Sequence, residues 1–413
     1  MTFLEDTARR LIVDLTMEGD FTKIQERPLS LPPSLVRLEL NGFRGELGPL
    51  PSGLRKLHVC AYRLNEYHTD ISHPLLDDVD DGDAVRSFLR ETAETIGAAM
   101  PYVQVLHVEG LDDGLIDFRE CMQALSQVPH PHLEELCLVN WDMHWEDVPL
   151  LLSRPIAKVT FKSCDFYSDA GSVRCTVPAM PEGLSNLEVV QGYCKNDLLV
   201  FGRLPDSLRR LSVDLLRAAE IVFEQPLPTL LETAMIATSG AVNVSTGVLP
   251  AGLRVLLLHK CQHHPLDEVP AGLRVLRLSN YTHPLPPLSD TLETMVLFNC
   301  AHSVTVTGAA SNLRSLSVYW RPPHRAPPLP ARWPPHLERF VYWGEPLDPA
   351  GAEPPPRIEN RPPGLRQLEL NACEVRAPLP QTLQEVRLGR DFRQDLEVKG
   401  ATVKVNSLRI VFD

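Results

Sequence analysis

The segment HKCQHHPLDE, residues 259–268, contains the side-chain types that bind transition metals. It places four candidate ligands close together in the chain: His259, Cys261, His263 and His264. Imidazole nitrogens and a thiolate are the usual ligands of tetrahedral zinc. In the repeat frame described below, however, Cys261 faces the core while the histidines follow it into a turn, so convergence on one ion would distort the backbone. We therefore predict no metal ligand and no cofactor.

The acidic run LDDVDDGD, residues 76–83, has the composition of a calcium-binding loop. If Gly82 takes the sixth position of such a loop, the third and twelfth positions fall on Val79 and Phe88. Neither side chain can bind calcium, and the twelfth position normally supplies a bidentate carboxylate. The run is better interpreted as a solvated cluster at the start of a helix.

Other signs of catalysis are missing from the sequence. It contains no phosphate-binding loop, no dinucleotide-binding glycine motif, no His-Glu-x-x-His and no Gly-x-Ser-x-Gly. An odd count of nine cysteines without a compact framework indicates reduced thiols. Only Cys60 and Cys137 combine a position outside the repeat turns with a surface position on a strand. They are the two thiols to probe for reactivity, and we predict that the protein is not an enzyme.

Composition and charge restrict the class of partner. Apolar residues make up 44% of the chain and charged residues 23%, enough for a folded core. The formal charge of -13 gives no general attraction to nucleic acid or anionic lipid, so neither is expected as a partner. No stretch approaches the roughly 20 apolar residues of a membrane span. Glu5 and Asp6 replace the positive charge of a secretory signal, so we expect an intracellular, cytoplasmic protein.

A repeated phrase sets the organisation of the chain. LPAGLRVLLL at residues 249–258 returns as VPAGLRVLRL at residues 269–278. The general form is x-Pro-x-x-Leu-x-x-Leu-x-Leu, and from Leu184 onward its spacing runs from 18 to 28 residues with a mean of about 22. We call the first leucine of each unit its anchor. The anchors are Leu35, Leu54, Val103, Leu133, Ile156, Leu184, Leu208, Leu231, Leu253, Leu273, Leu292, Leu313, Leu337, Leu365 and Leu383, with a degenerate first unit at residues 8–13.

The repeat predicts one short strand per unit. Ten anchors have a proline three residues earlier, which suits the bend before a strand because proline lacks an amide donor. Alternate residues of the following Leu-x-x-Leu-x-Leu turn inward, and stacked units pair their strands into a parallel sheet. Four cysteines lie at the turn position that is Asn or Cys in the leucine-rich consensus: Cys164, Cys261, Cys300 and Cys373. We expect these four to be structural.

The chain resembles leucine-rich repeat proteins, and its LPxxLxxLxL units are similar to the FNIP subtype and to repeats of some bacterial effectors. The resemblance implies an α/β repeat solenoid, a curved array with a parallel β-sheet on its concave face. The asparagine ladder of the family is mostly absent. Some of the effectors are ubiquitin ligases with a catalytic cysteine in a separate C-terminal helical domain. Here the repeats continue to Asp413, so that activity is not carried over, and no F-box is recognisable near the start.

We expect one solenoid over residues 1–413 with two kinds of unit. Residues 1–180 should hold longer, helix-backed repeats with an insertion at 64–100, and residues 181–413 short repeats with irregular connections. Helices are predicted after Asp83, through Ile96, and at 115–128. The proline-rich segments 321–335 and 345–363 are interpreted as stiff connectors, although PPLP at 327–330 also suits proline-reading modules.

The concave face carries the candidate site. Residues two, four and six after each anchor should point outward there, and in the middle of the array many are apolar or aromatic. The predicted partner-binding residues are Met235, Leu257, Arg277, Phe298, Tyr319, Arg339 and Trp343. Exposed apolar patches with aromatic and arginine anchors mark interaction sites. Two alternatives are that a loop or terminus covers this face and that the strand alternation slips here.

Together these observations favour a non-catalytic scaffold or adaptor that binds a protein partner. A structural subunit of a large assembly is the alternative, and the sequence does not separate the two. A ligase-like enzyme is less favoured. A receptor for small ligands or carbohydrates would normally be secreted, which the expected location argues against.

Overall fold

A computed structural model describes much of the chain in two compact units. The described residues are 12–20, 30–44, 49–60, 101–110, 132–145, 148, 156–168, 172–216, 220–243, 249–260, 266, 268–285, 287–300, 310–322, 324, 327, 329, 333–345, 357–358, 362–376, 378–392 and 401–405. Unit 1 contains residues 1–208 and 213–219, and unit 2 contains residues 209–212 and 220–413. The two units are described separately.

The described residues are mostly strands and turns. The first strands are β1 (Asp14–Asp20), β2 (Arg37–Arg44), β3 (Lys56–Cys60), β4 (Val105–Glu109), β5 (Glu135–Val139), β6 (Asp142–His144), β7 (Lys158–Lys162), β8 (Asp165–Tyr167), β9 (Arg174–Val177), β10 (Asn186–Cys194), β11 (Leu198–Phe201) and β12 (Arg210–Leu215). They are followed by β13 (Glu220–Phe223), β14 (Thr233–Thr238), β15 (Val242–Asn243), β16 (Val255–His259), β17 (Val275–Ser279), β18 (Thr294–Phe298), β19 (Ser315–Trp320), β20 (Arg339–Gly344), β21 (Arg357–Ile358), β22 (Gln367–Leu370), β23 (Glu374–Val375), β24 (Glu385–Leu388) and β25 (Thr402–Val405).

The repeat frame locates the strands correctly. Every anchor from Leu35 to Leu383 lies two residues before the start of a strand. The anchors are 0–5% exposed, so they form the buried row on which the strands rest. The pattern continues within the strands, where Leu256 and Leu258 of β16 are buried and their neighbours face outward. The prediction that a strand follows each anchor is confirmed for these repeats, although several of them also contain a second strand.

The prolines act at the bend before each strand, as the sequence predicted. The carbonyl oxygen of Pro250 accepts a hydrogen bond from the backbone N–H of the anchor Leu253 at 3.0 Å. The same bond joins Pro51 to Leu54 at 3.0 Å. Only the proline carbonyl is used, so its missing amide donor costs nothing at this position. The turn therefore fixes where the strand begins.

Parallel pairing builds the sheet of each unit. In unit 1 the order β1-β2-β3-β4-β5-β7-β10 is parallel throughout, and β6, β8 and the end of β10 form a second parallel row beyond the turns. In unit 2 the order is β14-β16-β17-β18-β19-β20-β22-β24-β25. Equivalent repeat positions pair with each other, so side chains of the same repeat position form rows across the strands.

Buried cysteines hold the turn that leaves the strand. Ser163 and Asn299 have positive φ angles of 50°, and the next residue in each case is a buried cysteine. The Cys164 thiol donates to the Leu138 carbonyl at 3.5 Å, and the Cys300 thiol to the Leu278 carbonyl at 3.6 Å. Each bond joins a cysteine to the preceding repeat. This is the stabilising role that side chains of an asparagine ladder are expected to have.

Burial keeps these thiols protonated. It raises the pKa of Cys164 to about 12 and that of Cys300 to about 11. The pKa of Cys373, which is also buried, is raised to about 12 for the same reason. Because the thiolate is the reactive form, these cysteines are structural, as predicted. Cys261 lies outside the described residues.

The expectation of helix-backed repeats is not supported by the described residues. Within them, helical geometry is found only at Trp145 and Val148. The two predicted helices, the insertion at 64–100 and most of the proline-rich segments lie outside the described residues. Within the described part of the chain, no helix is long and apolar enough to cross a membrane. Among the described residues, short second strands such as β8 and β11 follow main strands.

Candidate functional site

The predicted partner-binding residues all lie on one face of the unit 2 sheet, which we call the strip face. Met235, Leu257 and Arg277 are in register on β14, β16 and β17. Phe298, Tyr319 and Trp343 are in register on β18, β19 and β20. Arg339 lies two and four residues before Val341 and Trp343 on the same strand, so it shares their face. Arg277 is in register with Val296, two residues before Phe298 on β18, so the two rows are offset by one outward position along the strands.

The strip face is open to solvent in part. Met235 is 39% exposed, and Arg277 and Arg339 are exposed. The aliphatic and aromatic members are half-buried: Leu257, Phe298, Tyr319 and Trp343. Ser317 and Val341, which share this face by register, are buried at 6% and 0% exposure, so the face is closed to solvent at these two positions. The in-register pairing of β18, β19 and β20 favours regular alternation in these strands.

Charged side chains border the strip face on the side of β22. Arg339 pairs with Glu369 at 2.9 Å, and Arg387 lies 3.6 Å from the same carboxylate. Glu385 in turn pairs with Lys404 at 2.8 Å. An apolar centre with a polar rim is typical of protein interfaces. Arg277, in contrast, has no ion pair among the described residues, and it projects from the apolar row.

The two candidate nucleophiles of unit 1 differ in exposure. Cys60 on β3 is buried, and it contacts the carboxylate of Glu109 on β4. Cys137 on β5 is half-buried, and burial raises the pKa of its thiol. A raised pKa lowers the thiolate fraction and so weakens the nucleophile. The surroundings of Cys137 therefore do not activate its thiol.

The segment 259–268, which contains candidate metal ligands but for which no metal site is predicted, is only partly described. Both ring nitrogens of His259 are already engaged, Nδ1 with the Thr238 carbonyl at 2.9 Å and Nε2 with Asn280 Nδ2 at 3.2 Å. These bonds fit a structural histidine. Cys261, His263 and His264 lie outside the described residues, as does the acidic run at 76–83.

A different group of side chains could share a metal ion. His58 on β3, His107 on β4 and Glu109 on β4 offer ligand atoms that lie within 4.8 Å of one another. The sequence analysis did not single out this group. The signal was present, because His107 and Glu109 occupy positions four and six after the anchor Val103. The spacing within one repeat does not show that His107 shares a row with His58 of the neighbouring strand.

The described strands of unit 2 thus present a face of apolar and aromatic side chains with a charged border. The polar face of unit 1 adds one histidine and carboxylate cluster. The chain matches no protein-family model, and no curated protein sequence is significantly similar to it.

Proposed function

We propose that this protein is a leucine-rich repeat scaffold or adaptor that binds a protein partner on the strip face and performs no catalysis itself. The observation that supports the proposal most strongly is the row of Phe298, Tyr319 and Trp343 on adjacent strands. Aromatic side chains contribute much of the binding energy in protein interfaces and lose little conformational entropy on binding. A rigid sheet holds them ready for a partner.

The chemistry of the strip face restricts the partner. Its apolar rows require aliphatic or aromatic side chains on the opposing surface. The guanidinium of Arg277, without an ion pair among the described residues, favours a carboxylate placed against it. We therefore propose a protein partner that presents an apolar patch with at least one acidic side chain. This choice also agrees with the absence of any general attraction to nucleic acid at a net charge of -13.

The proposal also covers the protein family and the cellular location. The family assignment is supported by strands that follow each anchor and by buried cysteines at the ladder position. An intracellular location is supported by the seven described cysteines, none of which forms a disulfide bond. Helix-backed repeats in residues 1–180 remain a prediction.

The proposal is tested by placing charges on the strip face. Phe298→Asp combined with Trp343→Asp should weaken partner binding by about 100-fold or more, because two anchors are lost and two carboxylates are desolvated. Tagged protein is purified under native conditions with its bound proteins, which are quantified by mass spectrometry. The affinity of the main partner is then measured with purified components.

A matched control tests whether added charge at exposed positions elsewhere in unit 2 also weakens binding. Leu230 and Val403, 50% and 45% exposed, lie in unit 2 outside the predicted site. Leu230→Asp with Val403→Asp adds the same charge and should leave binding unchanged. Equal binding by wild type and the Phe298 and Trp343 double variant, with circular dichroism showing both folded, would refute the proposal. Recovery only within one massive particle would favour the structural-subunit alternative.

A further inference from the structure

Two histidines and two carboxylates meet on the outward face of β2, β3 and β4 in unit 1. Glu39, His58 and His107 occupy one row across these strands. The rings of His58 and His107 are stacked with centroids 4.0 Å apart and planes 18° apart. Glu109 follows His107 by two residues, and its Oε2 lies 3.7 Å from His58 Nε2. The four side chains therefore form one cluster.

The cluster leaves two nitrogen atoms without partners. Nε2 of His58 and Nε2 of His107 are buried and have no hydrogen-bond partner among the described residues. At 3.7 Å, the approach of Glu109 to His58 is too long for a hydrogen bond. Buried polar atoms are almost always paired, so two orphan nitrogens in adjacent rings require an explanation. A bound cation would use both lone pairs at once.

We propose that His58, His107 and Glu109 bind a divalent transition-metal ion, and that zinc is the ion their ligand set fits best. Two imidazole nitrogens and one carboxylate are a known three-ligand zinc set. This inference does not depend on the proposed function of the strip face.

The distances are compatible with coordination. The candidate ligand atoms lie within 4.8 Å of one another, whereas ligands at bond lengths of about 2.0–2.2 Å in a tetrahedral site lie about 3.3–3.6 Å apart. The stacked rings hold their lone pairs side by side, so the two rings tilt apart for both nitrogens to point at one ion. Three protein ligands leave one position of a tetrahedral site open. A water molecule or a donor from another molecule completes the tetrahedron.

Glu39 supplies the support that zinc-binding histidines usually have. Its Oε1 lies 3.9 Å from His58 Nδ1, on the side of the ring opposite the nitrogen offered to the metal. The carboxylate of Glu39 is itself held by Asn41 Nδ2 at 3.1 Å and by Arg37 at 3.4 Å. At 3.9 Å the contact is longer than a hydrogen bond, and a closer approach of this carboxylate would favour the tautomer with a proton on Nδ1, which leaves the lone pair on Nε2.

Two carboxylates adjoin the two histidine rings. Glu109 Oε2 lies 3.7 Å from His58 Nε2, and Glu39 Oε1 lies 3.9 Å from His58 Nδ1. Together these carboxylates offset the two positive charges of the ion.

Metal titration of the full-length protein tests the inference. The purified protein is stripped with a chelator and titrated with Zn²⁺ in competition with a chromogenic chelator, and with Co²⁺ followed by visible absorption. We expect one high-affinity Zn²⁺ ion per chain and a Co²⁺ spectrum typical of a four-coordinate site. Glu39→Gln should weaken Zn²⁺ binding by about 10–100-fold. His58→Asn, His107→Asn and Glu109→Gln should each weaken it by more.

A surface histidine serves as the matched control. His132 in unit 1 is exposed and lies outside the cluster, so His132→Asn should leave the stoichiometry and the affinity unchanged. Circular dichroism checks that each variant is folded. The Co²⁺ spectrum of the wild type tests for the site without any variant. The inference is overturned if the wild type binds no Zn²⁺ at micromolar concentrations. It is overturned equally if the His58 and His107 variants bind Zn²⁺ as the wild type does.

Discussion

Trp145→Ala is expected to lower the free energy of unfolding of unit 1 by about 3–5 kcal/mol, as measured by urea denaturation. The Trp145 side chain is 1% exposed. It stacks on Phe166 with ring centroids 4.2 Å apart and meets Phe161 edge-on at 5.7 Å. Its indole nitrogen has no hydrogen-bond partner among the described residues, so packing alone carries its contribution. Alanine would leave a large cavity beside both phenylalanines.

The control for this prediction is a large apolar residue on the surface of the same unit. Val173 is 62% exposed, and Val173→Ala should change stability by no more than about 0.5 kcal/mol. Hydrogen exchange measured by mass spectrometry assigns the loss to peptides of unit 1. If Trp145→Ala unfolds at the same urea concentration as the wild type, the aromatic cluster is not the core of this unit.

Tyr342→Ala should have an effect of similar size, about 3–5 kcal/mol, in unit 2. Tyr342 is fully buried, and its ring lies 4.3 Å from that of Trp320 and 5.9 Å from that of Phe340. Its hydroxyl donates to the Pro327 carbonyl at 2.9 Å. Trp320 also occupies the space where a side chain at Gly344 would begin, so the packing here is tight. Urea denaturation with peptide-resolved hydrogen exchange measures the loss.

Tyr342→Phe separates the hydrogen bond from the packing. The ring remains and only the bond to the Pro327 carbonyl is lost, so the expected cost is about 1–2 kcal/mol. Equal losses for the alanine and phenylalanine variants would contradict the packing argument. A larger loss for alanine would support it.

The sequence predicted the strands well because one repeat sets both the buried row and the start of each strand. Proline fixes the turn, and leucine at a fixed spacing fixes the face that is buried. The strand β25 shows where this reasoning fails, since KGATVKV lacks the leucine anchor that identifies the other repeats. Thr402 nevertheless pairs in register with Glu385. The strand β25 forms because it pairs with its neighbour β24. The sequence of the segment alone does not reveal this pairing.

The short second strands were also missed. β6 and β8 are three residues long and follow the turn that leaves the main strand. Three residues are too few for a periodic pattern to indicate a strand. They pair because the main strands have already brought them side by side. Their existence depends on the stacking of repeats and not on local propensity.

The alternation of side chains along a strand was enough to predict which face the candidate residues occupy, but not which side chains contact each other. The rule of positions two, four and six placed Met235, Arg277 and Tyr319 on one face, where the structure has them. The stacking of His58 on His107 depends on side-chain rotation and on the exact register of β3 and β4. Neither is contained in a spacing pattern. The sequence pattern therefore did not indicate the cluster of His58, His107 and Glu109, which forms across strands. It indicated only the candidate ligands within the single segment 259–268.

Photo-cross-linking from the strip face tests the central claim most directly. Benzoylphenylalanine replaces Tyr319, at the middle of the aromatic row, and in a parallel sample it replaces Leu230, which is exposed outside the site. After irradiation of native complexes, the account predicts that the variant at 319 forms a covalent adduct with the bound protein. It predicts no such adduct from position 230. A complex that still forms but cross-links only from position 230 would contradict the account.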